Sequence, residues 1–312
     1  MIKRTCLHLF VLSLATLTGH TAERPHPNVI FVLADDLGIG DVSPTNPDCK
    51  IKTPHLQAMA DEGITFLDAH SSSAVCTPTR YGVLTGRYNW RSRLARGVLS
   101  GTSNHLIPAE RATVAHLLRK GGYHTQMIGK WHLTGYAFHG AEHEIKPRVH
   151  GFAWDFAREV KGVGNGANFW PYVFRKQPIR WIDIPENRLG KNEFLVDRMN
   201  HEAVDFIERN KDRPFFLYLS HYAPHSILNG KPELVEKYRR KHRPGKSTRQ
   251  RCYLCQDHGH PGDALNHWAG DHNPHLAAML ESIDDGIGMI RDRLEKLGLS
   301  EKTIFVFTSD NG

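Results

Sequence analysis

Apolar and polar positions follow two rhythms along this chain. Four short runs are continuously apolar and end abruptly in residues that can do chemistry. Residues 29–34 end in Asp35-Asp36, and residues 125–129 end in Lys130-Trp131-His132. Residues 215–220 lead through His221 to Pro224-His225, and residues 304–308 end in Asp310-Asn311. Runs of this kind, bounded by turn signals, predict strands buried on both faces, as in a parallel sheet. Between them the spacing becomes helical. Thr53-Pro54 opens a helix to about Glu62, residues 109–120 form one that stops at Gly121-Gly122, and residues 193–210 form another. The clearest runs through Leu276, Leu280, Ile283, Ile287, Ile290, Leu294 and Leu297 in steps of four and three, and it stops at Gly298. Strands alternating with helices predict an α/β fold: a doubly wound, mostly parallel sheet with helices on both faces. Ligands bind such sheets at the carboxyl ends of strands, where all four polar clusters fall, so one shared site is expected. Two stretches break the rhythm. Residues from about 139 to 188 mix Gly, aromatics and charge, and residues from about 237 to 273 are basic and His-rich. Both are predicted to be insertions bordering the site rather than sheet.

The densest local signal is Cys76-Thr77-Pro78-Thr79-Arg80, continuing through Tyr81-Gly82-Val83-Leu84-Thr85-Gly86-Arg87. Thr-Pro after the cysteine predicts a helix start, with Thr77 as N-cap and Pro78 in the first turn. Position 76 then faces free N–H groups and the positive end of a helix dipole, which suits an anion. Arg80, one turn on, can reach back toward it. Asp35 and Asp36 place two like charges at one strand end, an arrangement that is costly unless a cation binds them. Asp310 and Asn311 add oxygen donors from another strand end. Oxygen donors favour a hard ion, Ca²⁺ or Mg²⁺.

Composition changes this picture little. The 312 residues, 40% apolar and 23% charged, describe a globular chain of one large or two modest domains. A net charge of +7 suits an anionic substrate or matrix and equally nucleic acid, but taken alone it reads as a solvated basic surface with no specific partner. No motif supports a specific nucleic-acid partner. Lys3 and Arg4 precede an apolar run over residues 7–17 and the small pair Thr21-Ala22, which together read as a secretory signal. Residues 1–22 are therefore expected to be a signal peptide and 23–312 the folded domain of a secreted or periplasmic protein, with no membrane contact after cleavage; His20 makes the cleavage site imperfect, so an uncleaved anchor stays open. Five scattered cysteines make no disulfide framework. Cys252 and Cys255, flanked by His242, His258 and His260, could bind zinc, pair or stay free.

The run from Cys76 to Arg87 resembles the signature of the sulfatase family, Cys-x-Pro-x-Arg followed by a hydrophobic pair and Thr-Gly-Arg. The run from Gly122 to His132 resembles the family's second signature, Gly-Tyr-x-Thr-x-x-x-Gly-Lys-Trp-His. The resemblance implies an alkaline-phosphatase-like fold and a sulfuric ester hydrolase of arylsulfatase type. Cys76 would be oxidised by a maturation enzyme to formylglycine (3-oxoalanine), whose hydrate is the nucleophile. Asp35, Asp36, Asp310 and Asn311, with an oxygen of modified Cys76, would bind the metal, usually calcium. Arg80, Lys130 and His225 would neutralise the sulfate, His225 could protonate the leaving alcohol, and His132 would serve as base. Sulfated small molecules or polysaccharides are the implied substrates.

The resemblance runs from about Pro27 to Gly312. Family members normally continue with another active-site lysine, more sheet and a smaller C-terminal subdomain, so the C-terminal part is expected to be missing here. Two further readings stay open: a phospho- or phosphonate-ester hydrolase of the same superfamily, and an inactive chain that binds sulfated glycans.

Overall fold

The computed structural model of the chain describes residues 26–100, 103–134, 147–158, 168–170, 173–174, 177–178, 188–225, 228–241 and 273–312. The expected signal over residues 1–22, and Cys252 and Cys255 with their flanking histidines, lie outside the described residues.

Among the described residues, five strands form one parallel sheet: β1 (Asn28–Ala34), β2 (His124–Lys130), β3 (Trp154–Arg158), β6 (Phe215–Ser220) and β7 (Thr303–Ser309). Their order across the sheet is β3-β2-β6-β1-β7, and the short strands β4 (Val173–Phe174) and β5 (Gln177–Pro178) make a separate antiparallel pair. Successive side chains of a strand point to opposite faces, and here both faces are covered. On one face Ile30, Val32, Phe215, Leu217, Leu219 and Ile128 meet Met199, Ala203 and Ile207 of α4 (Leu195–Arg209) and Ile283, Ile287 and Ile290 of α6 (Pro274–Lys296). On the other, Leu33, Met127, Phe216 and Tyr218 meet Tyr81 and Leu84 of α2 (Cys76–Thr85) and Ala115 of α3 (Val114–Lys120). Full burial of each large side chain stabilises the fold by about 1.5–3 kcal/mol. This double coverage is why β1, β2 and β6 read as unbroken apolar runs.

Three expectations are corrected. First, Trp154–Arg158 joins the main sheet beside β2, although it falls in a stretch expected to lie outside it. Asp155 interrupts its apolar pattern, yet that carboxylate is buried, with Arg148 Nε at 3.3 Å. Second, β7 is the outermost strand of this sheet among the described residues and only partly covered, with Ile304 51% exposed. Third, α3 starts at Val114 rather than near 109, because the Thr113 hydroxyl caps it by accepting from His116 N at 3.3 Å.

The remaining helices lie close to expectation. α1 (Pro54–Glu62) begins after Thr53, but the Thr53 hydroxyl accepts from Ser43 N instead of capping. The cap comes from α6, whose Asp284 carboxylate accepts from His55 N at 3.1 Å and Leu56 N at 2.8 Å. α6 starts behind the capping side chain of Asn273, and α5 (Pro232–Lys241) packs against it.

Candidate active site

The carboxyl ends of β1, β2, β6 and β7 and the amino end of α2 converge. α2 begins at Cys76 itself. Its N-cap is Val75, and among the described residues no side chain caps its first turn. Thr77, expected as the cap, lies inside the helix, where its hydroxyl accepts from Leu99 N at 3.3 Å. The residue at 76 therefore stands on an uncapped helix start, where the dipole favours an anion.

Beneath Cys76 lies a buried ionic floor. Arg80 donates through Nη2 to Asp35 Oδ1 at 3.1 Å and to Asp310 Oδ2 at 2.7 Å. Its Nη1 donates to Lys130 O at 3.2 Å and to the hydroxyl of Ser220. Lys130 Nζ donates to the other oxygen of Asp35. All four charged side chains are essentially inaccessible to solvent. Above them Asp36, in the left-handed region at φ 63°, donates its own N–H to Asp310 Oδ1 at 3.2 Å. Its carboxylate accepts from Asn311 Nδ2 at 2.5 Å, and His225 Nε2 lies 3.6 Å away.

Burial opposes ionisation of Asp35, but Lys130, Arg80 and His225 outweigh it and hold its carboxyl well below the usual range. Asp310 goes the other way. Burial, together with the adjacent Asp35 charge, pushes it up to about 7 despite Arg80. Burial and the Asp35 charge also push the Cys76 thiol up to about 12, so it stays protonated and is a poor nucleophile at neutral pH. His132, buried at φ 54° with Nε2 3.4 Å from Leu99 O, is held well below 6.5 by burial and by Lys130 and Arg80. Its imidazole is therefore neutral, with Nδ1 buried and without a hydrogen-bond partner among the described residues. His221 is fully buried, lowered by burial to about 3, and its backbone N–H donates to Leu33 O, whereas His225 is only partly covered. That difference places His225, not His221, at the accessible side.

The donor set fits a cation. One ligand atom each from Asp35, Asp36, Cys76 and Asp310 lies within 4.8 Å of the others. Asn311 Oδ1 is buried and has no hydrogen-bond partner among the described residues, which leaves an acceptor for a metal. Oxygen donors with two or more carboxylates suit Ca²⁺ or Mg²⁺.

Ser220 had no signal beyond its place as the last polar residue of an apolar run. Its hydroxyl donates to Lys130 O at 2.9 Å while accepting from Arg80, so it ties two strand ends to α2. Gly129 makes that approach possible. At φ 105° a Cβ there would sit 2.0 Å from Ser220 O.

The chain is similar to known proteins over nearly its whole length. The sulfatase family model matches residues 27–312. An N-acetylgalactosamine-6-O-sulfatase of Bacteroides thetaiotaomicron is 29% identical, with 94% of this chain and 60% of that protein covered. The N-acetylgalactosamine-6-sulfatase of Mus musculus is 31% identical over 97% of this chain and 54% of that protein. Among solved structures, Ps i-CgsB in complex with k-i-k-neocarrahexaose superposes with a TM-score of 0.69 at 25% identity, covering 92% of this chain and 59% of that one. The chain thus spans little more than half the length of the relatives it matches. With a family match over nearly all of its length and the converging strand ends of a doubly wound parallel sheet, the chain belongs to the sulfatase family.

Proposed function

We propose that this chain carries the catalytic site of a sulfate-monoester hydrolase that acts through residue 76. The convergence of Asp35, Asp36, Cys76 and Asp310 within 4.8 Å at an uncapped helix start carries this reading. Such a cluster can hold a cation and an anionic group side by side, which is what hydrolysis of a sulfate ester requires.

Ca²⁺, or Mg²⁺, bound by Asp35, Asp36, Asp310, Asn311 and an oxygen at position 76 would offset the charge on the sulfate oxygens. Formylglycine made from Cys76 supplies a pair of hydroxyls on one carbon, one for attack on sulfur and one for the later release of sulfate. The protonated thiol of the unmodified residue offers neither. The chain's own groups do the rest. The first N–H groups of α2 face the anion, and the Lys130 ammonium, held on Asp35 beneath it, adds positive charge. His132, neutral and enclosed, takes a proton at the nucleophile. His225, on the accessible side, donates to the departing alcohol oxygen. Arg80 is fully buried beneath Asp35 and Asp310, so it acts by holding those carboxylates in place rather than by touching substrate.

The substrate class is a sulfated glycan. The net charge of +7 favours a polyanion, and the similar proteins above are named for N-acetylgalactosamine 6-sulfate or were solved with a neocarrahexaose. Export through the N-terminal segment and maturation by a formylglycine-generating enzyme belong to the same reading. No helix among the described residues is long and apolar enough to cross a membrane.

Paired assays of the purified chain on an aryl sulfate and an aryl phosphate test this reading. Faster turnover of the sulfate is expected. Preference for the phosphate, or no turnover of either by material modified at position 76, would contradict it.

A further inference from the structure

Beyond its amino end, α2 carries a second feature that the catalytic reading does not use. The helix stops at Gly86, which is left-handed at φ 65°, and residues 86–99 then return along it. The return is fixed at its far end, where Leu99 N donates to Thr77 Oγ1 and Leu99 O lies 3.4 Å from His132 Nε2. This arm therefore runs the length of α2, about 15 Å for ten residues, and ends at the site. Its own hydrogen bonds order it. Asn89, buried, donates to Leu94 O at 3.0 Å and Ala95 O at 3.1 Å, and Arg93 donates to Asn104 O and His105 O.

Two properties of the arm point to a ligand. Tyr88 and Trp90 stack face to face, with ring centroids 4.1 Å apart and planes 10° apart, yet they are 53% and 59% exposed. The pair is an exposed aromatic platform. The arm is also strongly basic. Between Asp68 and Glu110 the sequence has no acidic residue but five arginines, at 80, 87, 91, 93 and 96. Arg91 and Arg96 are exposed and form no ion pair with any described residue.

We propose that residues 86–99 form a secondary binding track for a sulfated polysaccharide, leading along α2 to the catalytic site. The C–H-rich face of a pyranose lies against the Tyr88–Trp90 platform, and Arg91 and Arg96 pair with ring sulfates. The Leu99 end delivers the next sulfate ester toward position 76. The track rests on the sulfated-glycan reading given above, and it adds where a chain longer than the reacting sugar is held.

The test uses the full chain with Cys76→Ala, so that binding is read without turnover. The probes are a sulfated carrageenan hexasaccharide, its desulfated counterpart and a short DNA duplex. Trp90→Ala, and separately Arg91→Ser with Arg96→Ser, should each weaken binding of the sulfated hexasaccharide about tenfold with unchanged melting temperature. In the Cys76 background the same changes should lower the ratio of polymer to aryl sulfate kcat/KM about tenfold. Equal binding of the desulfated sugar, tighter binding of DNA, or variants that bind like the parent would each overturn the track. Hexasaccharide binding lost in the arm variants, in a protein that turns over no aryl sulfate, would uphold the track while removing the hydrolytic reading.

Discussion

Arg80 Nη2 lies 2.7 Å from Asp310 Oδ2, although the two residues are 230 positions apart in the sequence. The same nitrogen also holds Asp35 at 3.1 Å, so one guanidinium bridges the ends of β1 and β7 from beneath. Burial opposes the charge on Arg80, but Asp310 and Asp35 outweigh it and keep the guanidinium charged. Arg80→Gln leaves two facing carboxylates without that bridge and should cost about 3–5 kcal/mol in denaturant unfolding. Arg80→Lys should recover little of this, because an ammonium cannot reproduce the planar fork. Full stability in Arg80→Lys would show that charge alone matters there.

Gly129 separates steric demand from backbone strain. Gly129 and Gly190 have nearly the same left-handed φ, 105° and 103°. A Cβ at 190 meets nothing within 4 Å, whereas one at 129 meets Ser220 O at 2.0 Å and Met199 Cε at 2.4 Å. Gly190→Ala should therefore cost only the backbone term, about 1–2 kcal/mol. Gly129→Ala should cost more, by about another 1–3 kcal/mol, and should also impair turnover by parting β2 from β6 at Ser220. Equal unfolding midpoints for the two variants would refute the close-approach explanation.

A cation that binds the carboxylates should stabilise the folded chain. At a Ca²⁺ concentration a hundredfold above Kd, the gain is about 2.7 kcal/mol. Asp36→Asn, which removes charge at a partly exposed carboxylate, should lose much of that gain. The readout is the unfolding midpoint with Ca²⁺ and with a chelator. Equal Ca²⁺ stabilisation of Asp36→Asn and the parent would place the ion elsewhere.

His150 offers a pH test away from the site. It is buried and stacked on Trp131 at 5.6 Å, and burial together with His116 and His105 lowers it to about 4. An unfolded histidine titrates near pH 6.5. Between these values the unfolded chain binds the proton and the folded chain does not, so stability falls as pH drops from about 6.5 toward 4. His221, lowered to about 3, acts in the same direction. His150→Phe keeps a ring for the stack and removes the titration, so its unfolding free energy should change less between pH 7 and pH 5 than that of the parent. An unchanged slope would assign the acid sensitivity to other groups.

The elements that sequence reasoning located are those whose signal is local. β1, β2 and β6 are covered on both faces, so their burial is written in consecutive residues, and α6 carries its stripe over six turns. β3 escaped because Asp155 is neutralised by contacts that its own segment does not announce. Thr77 and Thr53 both looked like caps, but each hydroxyl is claimed by a backbone N–H from elsewhere, Leu99 for one and Ser43 for the other. The site followed the same division. Asp35, Asp36, Cys76, Lys130, Asp310 and Asn311 stand at element ends that the pattern marks, and the fold brings them together. The place of Ser220 depends on partners 90 and 140 positions away, and nothing near it in sequence reports them.

The most direct measurement is the mass of the peptide containing position 76 in protein that turns over an aryl sulfate. The expected result is a lighter, formylglycine-bearing peptide whose fraction rises in proportion to specific activity, with no turnover from Cys76→Ala. Full activity from protein whose residue 76 is wholly unmodified cysteine would contradict the account.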